Sequence, residues 1–125
     1  MSKDFFVKRP SVQPTIYVYK LDGVASHKGY IKVGYTERDV ERRVAEQLQT
    51  SGIPYRILLK ESAMRSDGTC FTDHDVHAIL CRKGIPQLKE GTRRSEWFKC
   101  SVEDVIAAIT ELRTGIRLDN ARTRT

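Results

Sequence analysis

No stretch of the sequence approaches the roughly eighteen consecutive apolar residues that a bilayer crossing needs, so no membrane span is expected. Met1 to Gln13 has no apolar core of the kind that marks a secretory signal. Cysteine is scarce. Cys70, Cys81 and Cys100 are an odd number, which argues against a disulfide framework and points to a reducing cytoplasm. Internal repeats and low-complexity tracts are also missing. Acidic side chains are in deficit: 22 Lys and Arg face 16 Asp and Glu, a formal charge of +6. Such a surplus suits a polyanionic partner such as nucleic acid, although charge alone also serves solubility.

What is present is ordinary material for one domain. The 125 residues are 39% hydrophobic and 30% charged, enough for a single core without a staple of metal or disulfide. Met1 to Pro14 carries two prolines and no periodicity and reads as an extended arm. Ile16-Tyr17-Val18-Tyr19 is β-branched and aromatic throughout, as in a strand covered on both faces. A loop from Leu21 to Gly29 leads to a second strand, Tyr30 to Tyr35, predicting an antiparallel hairpin.

Asp39 to Gln49 spaces Val40, Val44 and Leu48 by four, a helical stripe stopped by Ser51-Gly52-Ile53-Pro54. Tyr55 to Lys60 reads as a third strand. Thr72 with Asp75 forms a capping-box pattern ahead of Val76, Ile79 and Leu80, a second helix ending before Gly84. A loop is expected from Gly84 to Ser95 and a short strand from Glu96 to Cys100. Ser101 with Asp104 then caps a third helix whose core face is Val105, Ile106, Ile109 and Leu112. From Arg113 the pattern dissolves into a basic tail or linker, an ending that also suits a segment of a longer protein. The expectation is therefore an arm over 1–14, a domain over 15–112 and a tail over 113–125. The domain is α/β (α+β): a small, mainly antiparallel sheet of three to four strands with about three helices, in the order β-β-α-β-α-β-α.

Several of these residues resemble the GIY-YIG nuclease superfamily. The match runs through Thr15-Ile16-Tyr17, Lys32-Val33-Gly34-Tyr35-Thr36, an arginine on the next helix, Asp73-His74-Asp75-Val76-His77 and Glu96-Trp97-Phe98. It is closest to a divergent branch found in phage proteins and at the N-termini of helicase-like or restriction-like proteins, in which Lys-hydrophobic-Gly-x-Thr replaces the second half of the name motif. The resemblance implies hydrolysis of DNA phosphodiester bonds with a single Mg²⁺ or Mn²⁺ ion. In that chemistry negative charge builds on the phosphate oxygens, where a guanidinium and a hard cation act.

By this resemblance Tyr17 takes the place of the first tyrosine, which helps to activate the attacking water; a core aromatic is the structural alternative. Tyr30 and Lys32, two apart on one strand face, stand near the place of the missing second tyrosine. Gly34 allows a close backbone approach by phosphate, or a simple turn. Arg42 and Arg43 compete for the catalytic arginine. At about 100° per residue, Arg43 falls about 100° from the centre of the Val40, Val44, Leu48 stripe and Arg42 about 160°, so Arg43 is chosen and Arg42 is left to contact DNA. Arg93 and Arg94 are further DNA-binding candidates. The metal ligand by resemblance is Asp73, four residues before His77 where the family has glutamate, with Asp75 or Glu96 as alternates; Asp73 and Asp75 would also suit a helix N-terminus by charge alone. His77 would orient the carboxylate, contact phosphate or serve the fold.

Cys70, His74, His77 and Cys81 form a rival set with zinc-like residue types. Along one helix, however, His74 to Cys81 span about 10 Å, too far for one tetrahedral ion, and zinc is disfavoured. Two functions follow: a metal-dependent DNA endonuclease domain, or an inactive module that places a helicase, a restriction partner or a further domain of the chain on DNA.

Overall fold

The computed structural model describes residues 13–90 and 93–117, with the side chains of Glu90, Arg93 and Arg94 excepted. Most of the expected arm and residues 118–125 of the expected tail therefore lie outside the described residues. Eight elements follow one another: β1 (Thr15–Leu21), β2 (Ile31–Thr36), α1 (Val40–Leu48), β3 (Tyr55–Ser62), α2 (Asp73–Arg82), β4 (Gln87–Glu90), β5 (Arg93–Phe98) and α3 (Val102–Thr114). A 3₁₀ turn, Ala25–His27, lies in the loop between β1 and β2. The strands form one antiparallel sheet in the order β3-β1-β2-β5-β4. This is the α+β fold expected, with one more strand: β4 lies in the stretch read as loop, and β5 begins three residues before Glu96. No helix among the described residues is long and apolar enough to cross a membrane.

Side chains alternate across a strand, so β1 feeds two cores at once. Ile16 and Val18 join Ile31, Val33 and Phe98 under α2 and α3, while Tyr17 and Tyr19 join Trp97 under Val40 and Val44 of α1. That double coverage is why β1 reads as a continuous apolar run. Both predicted capping boxes form: Thr72 and Asp75 exchange hydrogen bonds at the start of α2, and Ser101 and Asp104 at the start of α3. The predicted stripe of α3 needs one correction. Ile106 is 42% exposed and Ala108 takes its place in the core, the i, i+3, i+4 spacing running through Val105, Ala108 and Ile109.

An acid also enters the core from α3. Glu111 is 5% exposed and is held by Arg82 Nη2 at 2.8 Å and by Lys83 Nζ at 3.2 Å, which ties α3 to the end of α2. The lysine is as covered as its partner, so neither charge has water to fall back on. Glu111→Gln should keep the shape but weaken both contacts, costing about 1–3 kcal/mol. Urea denaturation reads this as a lower midpoint at unchanged slope; an unchanged midpoint would mean that the pair contributes nothing to stability.

Candidate functional site

The α1 side of the sheet gathers polar groups around one aromatic pair. Tyr17 faces Gly34 across the β1–β2 ladder, and Tyr19 faces Lys32. The two tyrosine rings stack in parallel with centroids 6.1 Å apart. α1 is anchored by its N-cap, where the Asp39 carboxylate accepts from the Arg42 amide at 3.0 Å, and by Val40 and Val44 packed on the sheet. This phase turns Arg43 and Gln47 toward the tyrosines. Gln47 Nε2 donates to the Tyr17 hydroxyl at 2.9 Å, and Tyr19 donates to Gln47 Oε1 at 3.0 Å. Arg43 is half-buried, and its guanidinium lies close enough to the Tyr17 phenol to stabilise its anion. Burial outweighs that effect, so the Tyr17 pKa stands above the usual tyrosine value and the phenol is neutral at pH 7. Arg42 points away, its side chain 78% exposed and paired with Glu46 one turn on.

Lys32 reaches into the same group. Its Nζ lies 3.2 Å from Glu96 Oε1, 3.5 Å from Gln47 Oε1 and 5.9 Å from the centre of the Tyr19 ring. Glu96, an alternate metal ligand by sequence, is thus the counter-ion of Lys32. Tyr30 sits just before β2, partly buried against the tyrosine cluster, with its amide bonded to His27.

Gly34 has a different use from the one expected. It is neither a turn residue nor open to solvent; it lies buried inside β2, and a Cβ placed on it would come within 2.4 Å of Tyr17 Cζ. The close approach expected of a phosphate is taken by the Tyr17 ring. Since that ring is stacked and hydrogen-bonded, it cannot simply rotate away. Gly34→Ala is therefore expected to cost about 1–3 kcal/mol by overpacking and to displace the Tyr17 hydroxyl from Gln47. Thermal melts with the Tyr17 NMR signal would detect both, and an unmoved signal would show that the ring is not fixed by Gly34.

A split opens in the sheet where the pairing of β2 with β5 ends. β2 and β5 pair only at Ile31 with Phe98 and Lys32 with Trp97, and part beyond those residues. The Val33 carbonyl accepts from His77 Nε2 of α2 at 2.8 Å, and the His77 ring lies 5.0 Å from that of Phe98. His77 therefore braces α2 against the open edge of β2 and, among the described residues, makes no hydrogen bond to Asp73. One turn earlier on α2, Asp73 is largely covered, but among the described residues its carboxylate has neither a hydrogen bond nor an ion pair, and its oxygens reach solvent. The other buried acid, Glu111, has two cations. Asp75 is committed to the cap, accepting from the Thr72 amide at 2.9 Å. Asp73 also lies near Tyr35, whose pKa is pushed up to about 12 by burial and by its bond to Glu37, with Asp73 adding repulsion. The backbone of Arg93 and Arg94 runs along the parted section of β5; their side chains lie outside the described residues.

Among the described residues no three His, Cys, Asp or Glu side chains converge on one point, so they build no all-protein metal cage. A lone carboxylate with no protein partner and with its oxygens open to solvent, as in Asp73, fits instead an ion that keeps water and takes its remaining oxygens from phosphate, the mode of Mg²⁺. Gln47 is the member of the site that the sequence reading missed. Its signal was available: four residues after Arg43, it shares that residue's helix face.

Neither the curated proteins nor the solved structures contain a match to this sequence. The family model described as the T5orf172 domain matches residues 15–113, which takes in β1 and nearly all of α3. The chain belongs to the T5orf172 domain family.

Proposed function

We propose that this domain is a GIY-YIG-type nuclease that hydrolyses DNA phosphodiester bonds at the split between β2 and β5. The observation that carries the reading is the grouping of Tyr17, Arg43 and Lys32 on the α1 side of the sheet, with the unpaired carboxylate of Asp73, its oxygens open to solvent, on α2 near Tyr35 of β2. Support comes also from the family match over residues 15–113 and from the charge of +6.

In this reading Arg43 meets the non-bridging oxygens, where charge grows in the transition state. Asp73 would hold a single Mg²⁺ or Mn²⁺, which supplies Lewis-acid charge stabilisation to the phosphate and acidity to a bound water. Lys32, whose side chain is 15% exposed, offers a second cation next to Gln47, while Arg42 and the β5 arginines contact the DNA backbone. A second reading, an inactive module that positions a helicase or restriction partner on DNA, draws on one observation: Lys32, at the place of the missing tyrosine, is already paired with Glu96.

The deciding experiment incubates the protein with single-stranded, duplex and branched DNA, with and without Mn²⁺, and measures binding at several salt concentrations. Nicked or cut product with Mn²⁺ alone supports the nuclease. Binding that weakens with salt but yields no product supports the module. Absence of binding at low salt would remove DNA from both readings.

A further inference from the structure

We propose that Gln47 is a positioning residue that makes the Tyr17 oxygen a hydrogen-bond acceptor, so that the phenolic proton stays free and Tyr17 serves a phosphate as donor. The inference deepens the nuclease reading and rests on it for the identity of the phosphate. The geometry of the amide carries the argument. An amide has two ends of similar shape, and neighbours decide which end faces where. The Lys32 ammonium can only donate, and it lies 3.5 Å from the end of Gln47 that also receives the Tyr19 hydroxyl at 3.0 Å. That end is therefore the carbonyl. The NH₂ end must then face Tyr17, 2.9 Å away.

The Tyr17 oxygen thus accepts from Gln47, and the nearby Arg43 guanidinium has only donors to offer it. Among the described residues nothing accepts the Tyr17 proton. Tyr17 is 1% exposed, covered by the long side chains of α1; a phosphate that draws Arg43 outward uncovers a hydroxyl whose proton is unspent. Lys32 thereby has a role in this chain that needs no substrate contact: it sets the direction of the amide. The charged and titratable groups around Tyr17 on this face are Arg43 from α1, Tyr19 from β1, Lys32 from β2, Lys60 from β3, which is paired with Glu41 of α1, and Glu96 from β5. Because burial keeps the phenol neutral, donation is the form available at pH 7.

The test follows the titration of Tyr17 by NMR of protein carrying ring-labelled tyrosine, with the signal assigned from Tyr17→Phe. Gln47→Leu removes a donor that stabilises the phenolate, and the Tyr17 titration should move to higher pH. Gln47→Glu keeps the size of the side chain but offers Tyr17 only acceptor oxygens; the titration should move up further, and cleavage should fall by about tenfold, the worth of one ordinary hydrogen bond. Titrations of both variants that coincide with that of the parent would overturn the proposal. If the parent does not cut DNA, the titration still decides the polarity of the network, so failure of the nuclease reading is recognised separately.

Discussion

Arg43→Ala is expected to lower the rate of DNA cleavage by roughly 10²–10³-fold, about 2.7–4 kcal/mol of transition-state stabilisation. Arg42→Ala should leave it within a few-fold. The two arginines are chemically identical neighbours, so the difference must come from where α1 points them. Val40 and Val44 hold the helix face down on the tyrosines, which places Arg43 at the border beside Tyr17 and sends Arg42 to solvent, 78% exposed. A guanidinium partly shielded from water acts at a lower effective dielectric than one in bulk solvent, where the same charge is screened. Arg43 is not a core residue, so the variant should melt near the parent. Rates at saturating DNA separate the two losses: Arg43→Ala lowers the maximal rate, whereas Arg42→Ala weakens binding and steepens no other parameter. A fully active Arg43→Ala beside a dead Arg42→Ala would show that helix α1 sits in another rotation when DNA is bound.

Asp73→Ala should abolish Mn²⁺-dependent cleavage, a loss at least as large as that of Arg43→Ala, and should weaken Mn²⁺ binding read by calorimetry or by electron paramagnetic resonance. DNA affinity should stay equal or rise, since a negative charge leaves the phosphate path. These outcomes follow from the state of the carboxylate. The Asp73 carboxylate, unlike that of Glu111, has no pair among the described residues, and its oxygens reach solvent, so they are available to an incoming ion. If the acid served only the dipole of α2, its loss would cost about 0.3–1 kcal/mol of stability and change neither metal binding nor rate. Asp73→Glu extends the reach by one methylene. A site adapted to aspartate should lose rate; a domain that lost activity through the shorter acid should gain it. Unchanged Mn²⁺ binding in Asp73→Ala would move the ligand elsewhere on the split.

The elements were legible where burial imposes a period. The four-residue spacing of Val40, Val44 and Leu48, the capped starts at Thr72 and Ser101, and the apolar run of β1 all record which faces are covered. β4 was not legible, because Gln87–Glu90 contributes a single apolar side chain and four residues are too few for an alternation to stand out. Ile106 was misplaced because an apolar residue on a helix does not announce which of two adjacent angles faces the sheet. In the site, helical phase separated Arg43 from Arg42 without coordinates, and the structure places them accordingly. The role of Gly34 was hidden: that its empty side is filled by Tyr17 depends on the cross-strand register, which pairs residues seventeen apart in the chain. The split between β2 and β5 was hidden for a related reason. It consists of hydrogen bonds that are not made, and His77 is turned into a brace by a carbonyl of Val33, 44 residues away.

In the proposed site Arg43 and the carboxylate of Asp73 act on one phosphate. Single-turnover cleavage of labelled DNA in Mn²⁺ tests this directly, with the parent, each single variant and the double variant Arg43→Ala with Asp73→Ala. Two groups acting on one phosphate are non-additive, so the double variant should be hardly slower than the worse single one. Losses that multiply, or a parent that leaves every DNA form intact with Mn²⁺ present, would contradict the account.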